Sequence, residues 1–75
     1  MDVTIFTGPG CTSCEWAKAF LTEHHVSFVE RRLTDDPNAM GELLALGARA
    51  LPVIRVGGEM LSGFDPVKLS RLLGM

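Results

Sequence analysis

The hydrophobic and polar positions of the chain follow two different periods. Short β-branched or aromatic runs bounded by Gly and Pro are typical of strands, whereas apolar residues that recur every three or four positions are typical of helices. Cys14, Ala17 and Leu21 follow the helical period and fall on one side of a helix. The predicted elements are strand 3–7, helix 11–25, strand 26–33, helix 37–46, strand 52–56, strand 59–62 and helix 66–73.

Residues at its two boundaries support the second helix. Thr34, Asp35 and Asp36 are candidates for the N-cap, because their side-chain oxygens accept hydrogen bonds from the first free amides of a helix. Pro37 suits the first helical turn, and Gly47 is typical of a helix end.

The element order βαβαββα predicts one α/β domain over residues 1–75. A strand–helix–strand unit implies a parallel pair joined by a right-handed crossover, while Gly57-Gly58 predicts a hairpin between antiparallel strands. Asp65 is expected to cap the last helix, with Pro66 as its first residue. We therefore expect a four-stranded mixed sheet flanked by three helices.

Composition and charge exclude several classes of function. The 75 residues are 47% hydrophobic and 21% charged, as in ordinary globular proteins. The net charge is -2 and the seven Lys and Arg are scattered, so the sequence has no basic stripe for nucleic acid. No apolar run approaches the ~20 residues of a membrane span, and residues 1–4 lack the features of a signal peptide. We expect a cytoplasmic protein without nucleic-acid or membrane partners.

The two cysteines, Cys11 and Cys14, are the strongest candidates for chemistry. A structural disulfide is not expected in a reducing compartment, and closing so short a loop would stabilise the fold by only roughly 2 kcal/mol. The pair lies where a predicted strand gives way to a helix, and the free amides of a helix start stabilise a thiolate. Cys14 lies one turn further in, at a side-chain separation of about 5–6 Å.

These positions predict different roles for the two thiols. Cys11, at the exposed helix start, is expected to attack a substrate disulfide, and the more buried Cys14 is expected to resolve the mixed disulfide. Residues 7–15 contain no Lys, Arg or His. We therefore expect backbone amides and the helix dipole to lower the pKa of Cys11 moderately below about 8.5.

Two other interpretations of the cysteine pair compete with redox chemistry. The thiols are either inert and buried, or they form half of a zinc site completed by His24 and His25. On a continuous helix His24 would stand about 20 Å from Cys11, too far to share one ion. A C-x-x-C pair at a strand–helix junction favours redox chemistry over both, and no metal is expected.

Two motifs of the chain carry a family resemblance. Residues 11–18 are Cys-Thr-Ser-Cys-Glu-Trp-Ala-Lys, and residues 46–52 are Leu-Gly-Ala-Arg-Ala-Leu-Pro. They are similar to the C-x-x-C-x-x-A-K and T-G-x-R-T-V-P segments of the glutaredoxin family, which has the thioredoxin fold. The resemblance implies a cis bond before Pro52, and it implies that Leu51 offers backbone hydrogen bonds to an extended substrate.

Residues 61–66, Leu-Ser-Gly-Phe-Asp-Pro, are similar to the W-S-G-F-x-P of the NrdH-type redoxins of the same family. This similarity implies a monomeric electron donor to ribonucleotide reductase, reduced by NADPH through thioredoxin reductase. It also implies a reversible Cys11–Cys14 disulfide and no bound cofactor. The substrate-binding residues that the resemblance implies are Gly10, Leu51, Pro52, Gly63, Phe64 and Asp65.

Glutathione is the alternative source of electrons. Glutaredoxins usually carry a Lys before the C-x-x-C that binds a glutathione carboxylate, and Gly8 or Gly10 stands there. Arg49 remains available to meet a carboxylate. We expect thioredoxin reductase to serve better than glutathione. Two further alternatives are a module in which two copies hold an iron–sulfur cluster with one cysteine each, and an adaptor that only docks a partner.

The remaining candidates have structural interpretations beside the functional ones. Trp16 is expected to be partly buried packing, with partner docking as the alternative. Phe64 either borders the site or packs under the last helix. Asp65 is expected to be an N-cap, with the alternative that its neighbouring amides also hold a ligand carboxylate. His24-His25 is expected to be a solvated helix end. Residues 30–32, Glu-Arg-Arg, are expected to form an exposed, charged strand edge.

Overall fold

The described residues follow the predicted element order βαβαββα. The computed structural model describes residues 2–48 and 50–75. Its elements are β1 Val3–Thr7, α1 Thr12–Glu23, β2 Val29–Arg32, α2 Ala39–Ala45, β3 Val53–Val56, β4 Glu59–Ser62 and α3 Pro66–Leu72. Arg49, the candidate carboxylate anchor, lies outside the described residues. In the two described ranges, no helix combines the length and hydropathy that crossing a membrane requires.

The four described strands form one mixed sheet in the order β2-β1-β3-β4. β1 runs parallel to β2 and antiparallel to β3, and β4 returns antiparallel to β3 through the turn at Gly57-Gly58. This arrangement confirms the predicted mixed sheet with three flanking helices. In the parallel register Thr7 lies opposite Arg32, so the carboxyl ends of β1 and β2 meet at one edge of the sheet. The loop at residues 8–11, which we call the cysteine loop, starts at this edge.

The side chains of β1 enter two apolar clusters on opposite faces of the sheet, because successive strand residues point in opposite directions. The larger cluster joins the strands to α1 and α3, and its buried members are Val3, Ile5, Ala17, Leu21, Ile54, Val56, Leu61 and Leu69. The smaller cluster lies under α2, and its buried members are Phe6, Ala39, Leu43 and Val53. α1 and α3 therefore cover one face and α2 covers the other.

The start of α2 differs from the prediction. Its N-cap is Asn38, which makes no side-chain capping hydrogen bond, and Pro37 precedes the helix. Asp36 instead caps the turn at residues 37–38 that leads into α2, because its Oδ1 accepts from the Asn38 amide at 3.0 Å, while its Oδ2 accepts from Arg31 Nε at 2.8 Å. The predicted end is confirmed, since Gly47 follows the last turn with a φ of 74°.

β2 is shorter than predicted and less exposed. Residues 26–28 leave the strand because the Val26 amide donates to the Leu21 carbonyl at 2.9 Å and holds this segment against the end of α1. β2 is an edge strand, as expected. The side chains of its Glu30 and Arg31 are nevertheless largely buried and both form ion pairs, so the prediction of an exposed edge is wrong for these two residues.

Candidate functional site

The cysteine pair occupies the start of α1. Cys11 is the N-cap residue in extended backbone geometry, and its Sγ accepts a hydrogen bond from the Cys14 amide at 3.1 Å. Cys11 and Cys14 are joined in a disulfide with their Cα atoms 5.2 Å apart. The backbone thus holds the two sulfurs within bonding reach at the place where the helix presents its free amides.

The two sulfurs differ in their access to solvent. Cys11 is half-exposed at the helix start, whereas Cys14 has 1% of its surface exposed. Cys14 is buried because it shares the inner side of α1 with Ala17 and Leu21, as the helical spacing predicts. A disulfide presented from solvent can therefore reach the Cys11 sulfur but not the Cys14 sulfur.

A depression of about 310 Å³ lies beside Cys11. The described residues that line it are Gly8, Pro9, Gly10, Cys11, Thr12, Glu15 and Arg32. Arg32 reaches this depression from the end of β2, opposite Thr7 in the parallel register. Sequence reasoning missed this cation because it considered only residues 7–15. The predicted parallel pairing of the first two strands could have indicated Arg32, since the carboxyl ends of neighbouring parallel strands meet at the same edge of the sheet.

A polar cluster links β1, β2 and α1 behind the cysteine loop. The buried Thr7 hydroxyl donates to Glu30 Oε2 at 2.7 Å, and Lys18 Nζ donates to the same oxygen at 3.2 Å. Lys18 Nζ also lies 3.2 Å from a carboxylate oxygen of Glu15. The hydrogen bond from Thr7 lowers the pKa of Glu30, although burial opposes it. Burial disfavours the charge of Lys18, but the bonds to its two glutamates outweigh burial and raise its pKa.

The segment before β3 lies against the cysteine loop. The Leu51–Pro52 bond is cis, which confirms the expectation from the resemblance, and Pro52 is fully buried. A Cβ atom built on Gly8 would stand 2.8 Å from Leu51 Cδ1, so the Leu51 side chain lies directly beside the cysteine loop. The expected contact between Pro52 and Cys11 stays a prediction.

Two hydrogen bonds tie this segment to the end of β4. The Ser62 hydroxyl donates to the Ala50 carbonyl at 3.1 Å, and the Gly63 amide donates to the Pro52 carbonyl at 2.7 Å. Gly63 has a φ of 84°, in the left-handed region that favours glycine. The Ser62 side chain and the Gly63 backbone therefore hold the segment around the cis bond in place.

Most of the predicted substrate-binding residues do not line the depression at Cys11. Among the described residues that line it, Gly10 is present, while Leu51, Pro52, Gly63, Phe64 and Asp65 are not. The Phe64 ring packs edge-on against Phe20, with ring centroids 5.9 Å apart, at the border of the larger cluster. Asp65 caps α3 by accepting from the amides of residues 67 and 68. These contacts support the structural interpretation of both side chains.

The surface of α1 differs from the expectation at one place. Trp16 is 59% exposed, so the prediction that it is partly buried packing is wrong. His24 and His25 are exposed at the end of α1, as expected, and the His24 ring lies 4.4 Å from the Phe20 ring. Across residues 2–48 and 50–75, no three His, Cys, Asp or Glu side chains are grouped so that they could hold a metal ion.

Comparisons with known proteins agree with this architecture. A family model described as glutaredoxin matches residues 3–61. The glutaredoxin-like protein NrdH of Lactococcus lactis is 33% identical over 70 residues, which cover 93% of this chain and 97% of that protein. The solved structure of the NrdH-redoxin from Escherichia coli has a TM-score of 0.88 and 33% identity, covering 96% of this chain and 95% of that one. A solved thioredoxin-like protein has a TM-score of 0.92 and 28% identity over 97% of this chain and 95% of its own.

Proposed function

From the premise that the chain belongs to the glutaredoxin family and is an NrdH-like thiol–disulfide oxidoreductase, we propose that Cys11 attacks the disulfide of a substrate protein and that Cys14 completes the reaction. The Cys11 thiolate displaces one substrate sulfur, which leaves as a thiol after taking a proton. Cys14 then loses its proton and attacks Cys11, which forms the Cys11–Cys14 disulfide and releases the second substrate thiol. Two electrons pass from the protein to the substrate.

The difference in exposure between the two sulfurs carries this proposal. Only Cys11 is open to solvent, and it stands at the N-cap, where it already accepts the Cys14 amide. That position favours a thiolate at Cys11. Cys14, with 1% of its surface exposed, is protected from disulfides in solution. Its Cα atom lies 5.2 Å from that of Cys11, so its sulfur can attack the mixed disulfide at Cys11 from the buried side.

Substrate binding is proposed along the segment before β3. The Leu51 backbone pairs with an extended substrate strand while Pro52 and Gly10 border the reacting sulfurs. The closeness of Leu51 to Gly8 supports this arrangement, because it sets the segment directly beside the cysteine loop. Gly63, Phe64 and Asp65 extend this substrate-binding surface, because the Gly63 amide donates to the Pro52 carbonyl, and they also contact the partner that reduces the protein.

Thioredoxin reductase with NADPH is the proposed electron source, and ribonucleotide reductase in the cytoplasm is the proposed substrate. Glutathione carries two carboxylates, and selecting it requires cations or free amides at both ends of the tripeptide. Gly8 and Gly10 offer no cationic side chain. Losing one charge-assisted contact costs about 1.5–3 kcal/mol, which lowers affinity about ten- to a hundredfold.

Two single substitutions test the roles of the cysteines. Cys11→Ser is expected to abolish attack on a protein disulfide, whereas Cys14→Ser is expected to trap a mixed disulfide through Cys11. Mass spectrometry of the trapped product identifies the bonded cysteine. Alkylation of the reduced wild type with iodoacetamide below pH 7 should modify Cys11 first, and preferential modification of Cys14 would reverse the assignment.

A coupled assay tests the electron source. We expect fast NADPH oxidation with thioredoxin reductase and slow oxidation with glutathione and its reductase. Gly8→Lys should raise the glutathione rate by supplying a cation. Gly8→Gln is the matched control, because both side chains press a Cβ against Leu51 Cδ1 and only one is charged. Faster turnover of the wild type with glutathione than with thioredoxin reductase would refute the NrdH-like electron source and leave a glutathione-dependent glutaredoxin.

A further inference from the structure

Arg32 is a cation that the fold brings to the depression beside Cys11. It ends β2 opposite Thr7, and it is among the residues that line the depression of about 310 Å³ beside Cys11. About half of the Arg32 side chain (51%) is exposed. An arginine at this place can contact whatever lies beside a disulfide that Cys11 attacks.

The neighbouring charges leave the guanidinium of Arg32 accessible. Its ion pair with Asp35 joins Nε to Oδ2 at 3.4 Å, and 71% of the Asp35 side chain is exposed, so this pair exchanges easily with an outside carboxylate. Glu15, the carboxylate on the wall of the depression, is instead engaged by Lys18 at 3.2 Å. Among the described residues, the ion pairs of Arg32 use Nε alone.

We propose that Arg32 selects substrates by binding the carboxylate of an acidic residue that flanks the substrate disulfide. The substrate carboxylate replaces Asp35 on the guanidinium, whose planar fork donates hydrogen bonds to two carboxylate oxygens at once. This inference rests on the proposed function, since it assigns a substrate class to the same site. The preferred substrates are protein segments with Asp or Glu next to the reacting cysteine.

Two peptides that differ in one residue test the selection. Each carries one intramolecular disulfide, with Glu beside the first cysteine in one peptide and Gln in the other. The pre-reduced protein is mixed with each peptide, the reaction is quenched with acid, and the second-order rate constant is measured. Because no reductase is present, the result does not depend on the electron source. Comparing the two peptides on one variant also cancels any effect of Arg32 on the reactivity of Cys11.

For the wild type we expect the Glu peptide to react roughly three- to fivefold faster, which is the size of an exposed ion pair. Arg32→Gln should bring the ratio to about one, and Asp35→Asn should increase it by removing the competing carboxylate. Arg71→Gln, on the exposed last turn of α3, is the matched control and should leave the ratio unchanged. The wild-type ratio should shrink in concentrated salt.

Each contrary result has a distinct meaning. Equal rates for the two peptides on the wild type, or a ratio that survives Arg32→Gln, would overturn the role of Arg32 while leaving the proposed function intact. Reduction of neither peptide would overturn both. Glutathione disulfide is a third substrate, because it presents the same carboxylate chemistry. A loss on Arg32→Gln that is confined to glutathione disulfide would overturn selection of acidic protein segments.

Discussion

Replacing Thr7 with valine is expected to lower the free energy of unfolding at neutral pH and to lower it much less in acid. Thr7 is 3% exposed, and its hydroxyl donates to Glu30 Oε2 at 2.7 Å. Valine has nearly the same shape but no donor. The substitution therefore removes one partner of a charged carboxylate and leaves Lys18, at 3.2 Å, as the other.

The size of the effect follows from the exposure of Glu30. A hydrogen bond to a charged group contributes about 1.5–3 kcal/mol, but 26% of the Glu30 side chain is exposed, so water replaces part of the lost bond. The buried methyl group of valine offsets some of the remainder. We expect a loss of about 1 kcal/mol, which for a domain of this size lowers the melting temperature by about 4–8 °C.

The pH dependence distinguishes this hydrogen bond from ordinary packing. The bond from Thr7 lowers the pKa of Glu30 below its ordinary 4.5. A carboxylate with a depressed pKa stabilises the fold fully above its unfolded pKa, and this contribution is lost as the pH falls through the folded pKa. The gap between wild type and Thr7→Val should thus be constant from pH 6 to 8 and should narrow below pH 4.5.

Thermal unfolding followed by circular dichroism at several pH values measures this gap. Thr7→Ser keeps the hydroxyl and removes a methyl group, so the stability that this variant loses should not change with pH. Thr4→Val, at a half-buried threonine of the same strand, controls for β-propensity. A Thr7→Val gap that narrows nowhere below pH 4.5 while the protein remains folded would refute the reasoning, because it would trace the loss to packing instead of to the ionised Glu30.

Three further substitutions test local features of the fold by chemical denaturation. Asp65→Ala should lower the free energy of unfolding by ~1 kcal/mol, because the Asp65 carboxylate accepts from the amides of Val67 at 3.1 Å and Lys68 at 3.2 Å. An unchanged free energy of unfolding would mean that water replaces the cap. Gly47→Ala should cost about 1 kcal/mol, since a residue with a side chain is strained at a φ of 74°. Gly41→Ala, in open space on α2, should instead stabilise by roughly 0.5 kcal/mol, and an equal loss at both glycines would contradict this account.

Local signals in the sequence were sufficient for the order of the elements and the place of the cysteine pair. The β-branched run at residues 3–7 and the helical spacing of Cys14, Ala17 and Leu21 depend only on near neighbours, and both predictions are confirmed. Asp65 was correctly identified as a cap for the same reason, because an N-cap bonds to amides two and three residues away. The exposure of Cys11 and the burial of Cys14 follow from that helix.

The partners of the charged side chains were decided by the tertiary structure. The parallel crossover brings the end of β2 beside the end of β1, and only this places Arg32 at the depression of Cys11 and Glu30 against Thr7. Hydrophobic periods and caps are short-range properties that a sequence displays directly. Ion pairs join side chains distant along the chain, so their choice of partner depends on which strand ends the sheet brings together.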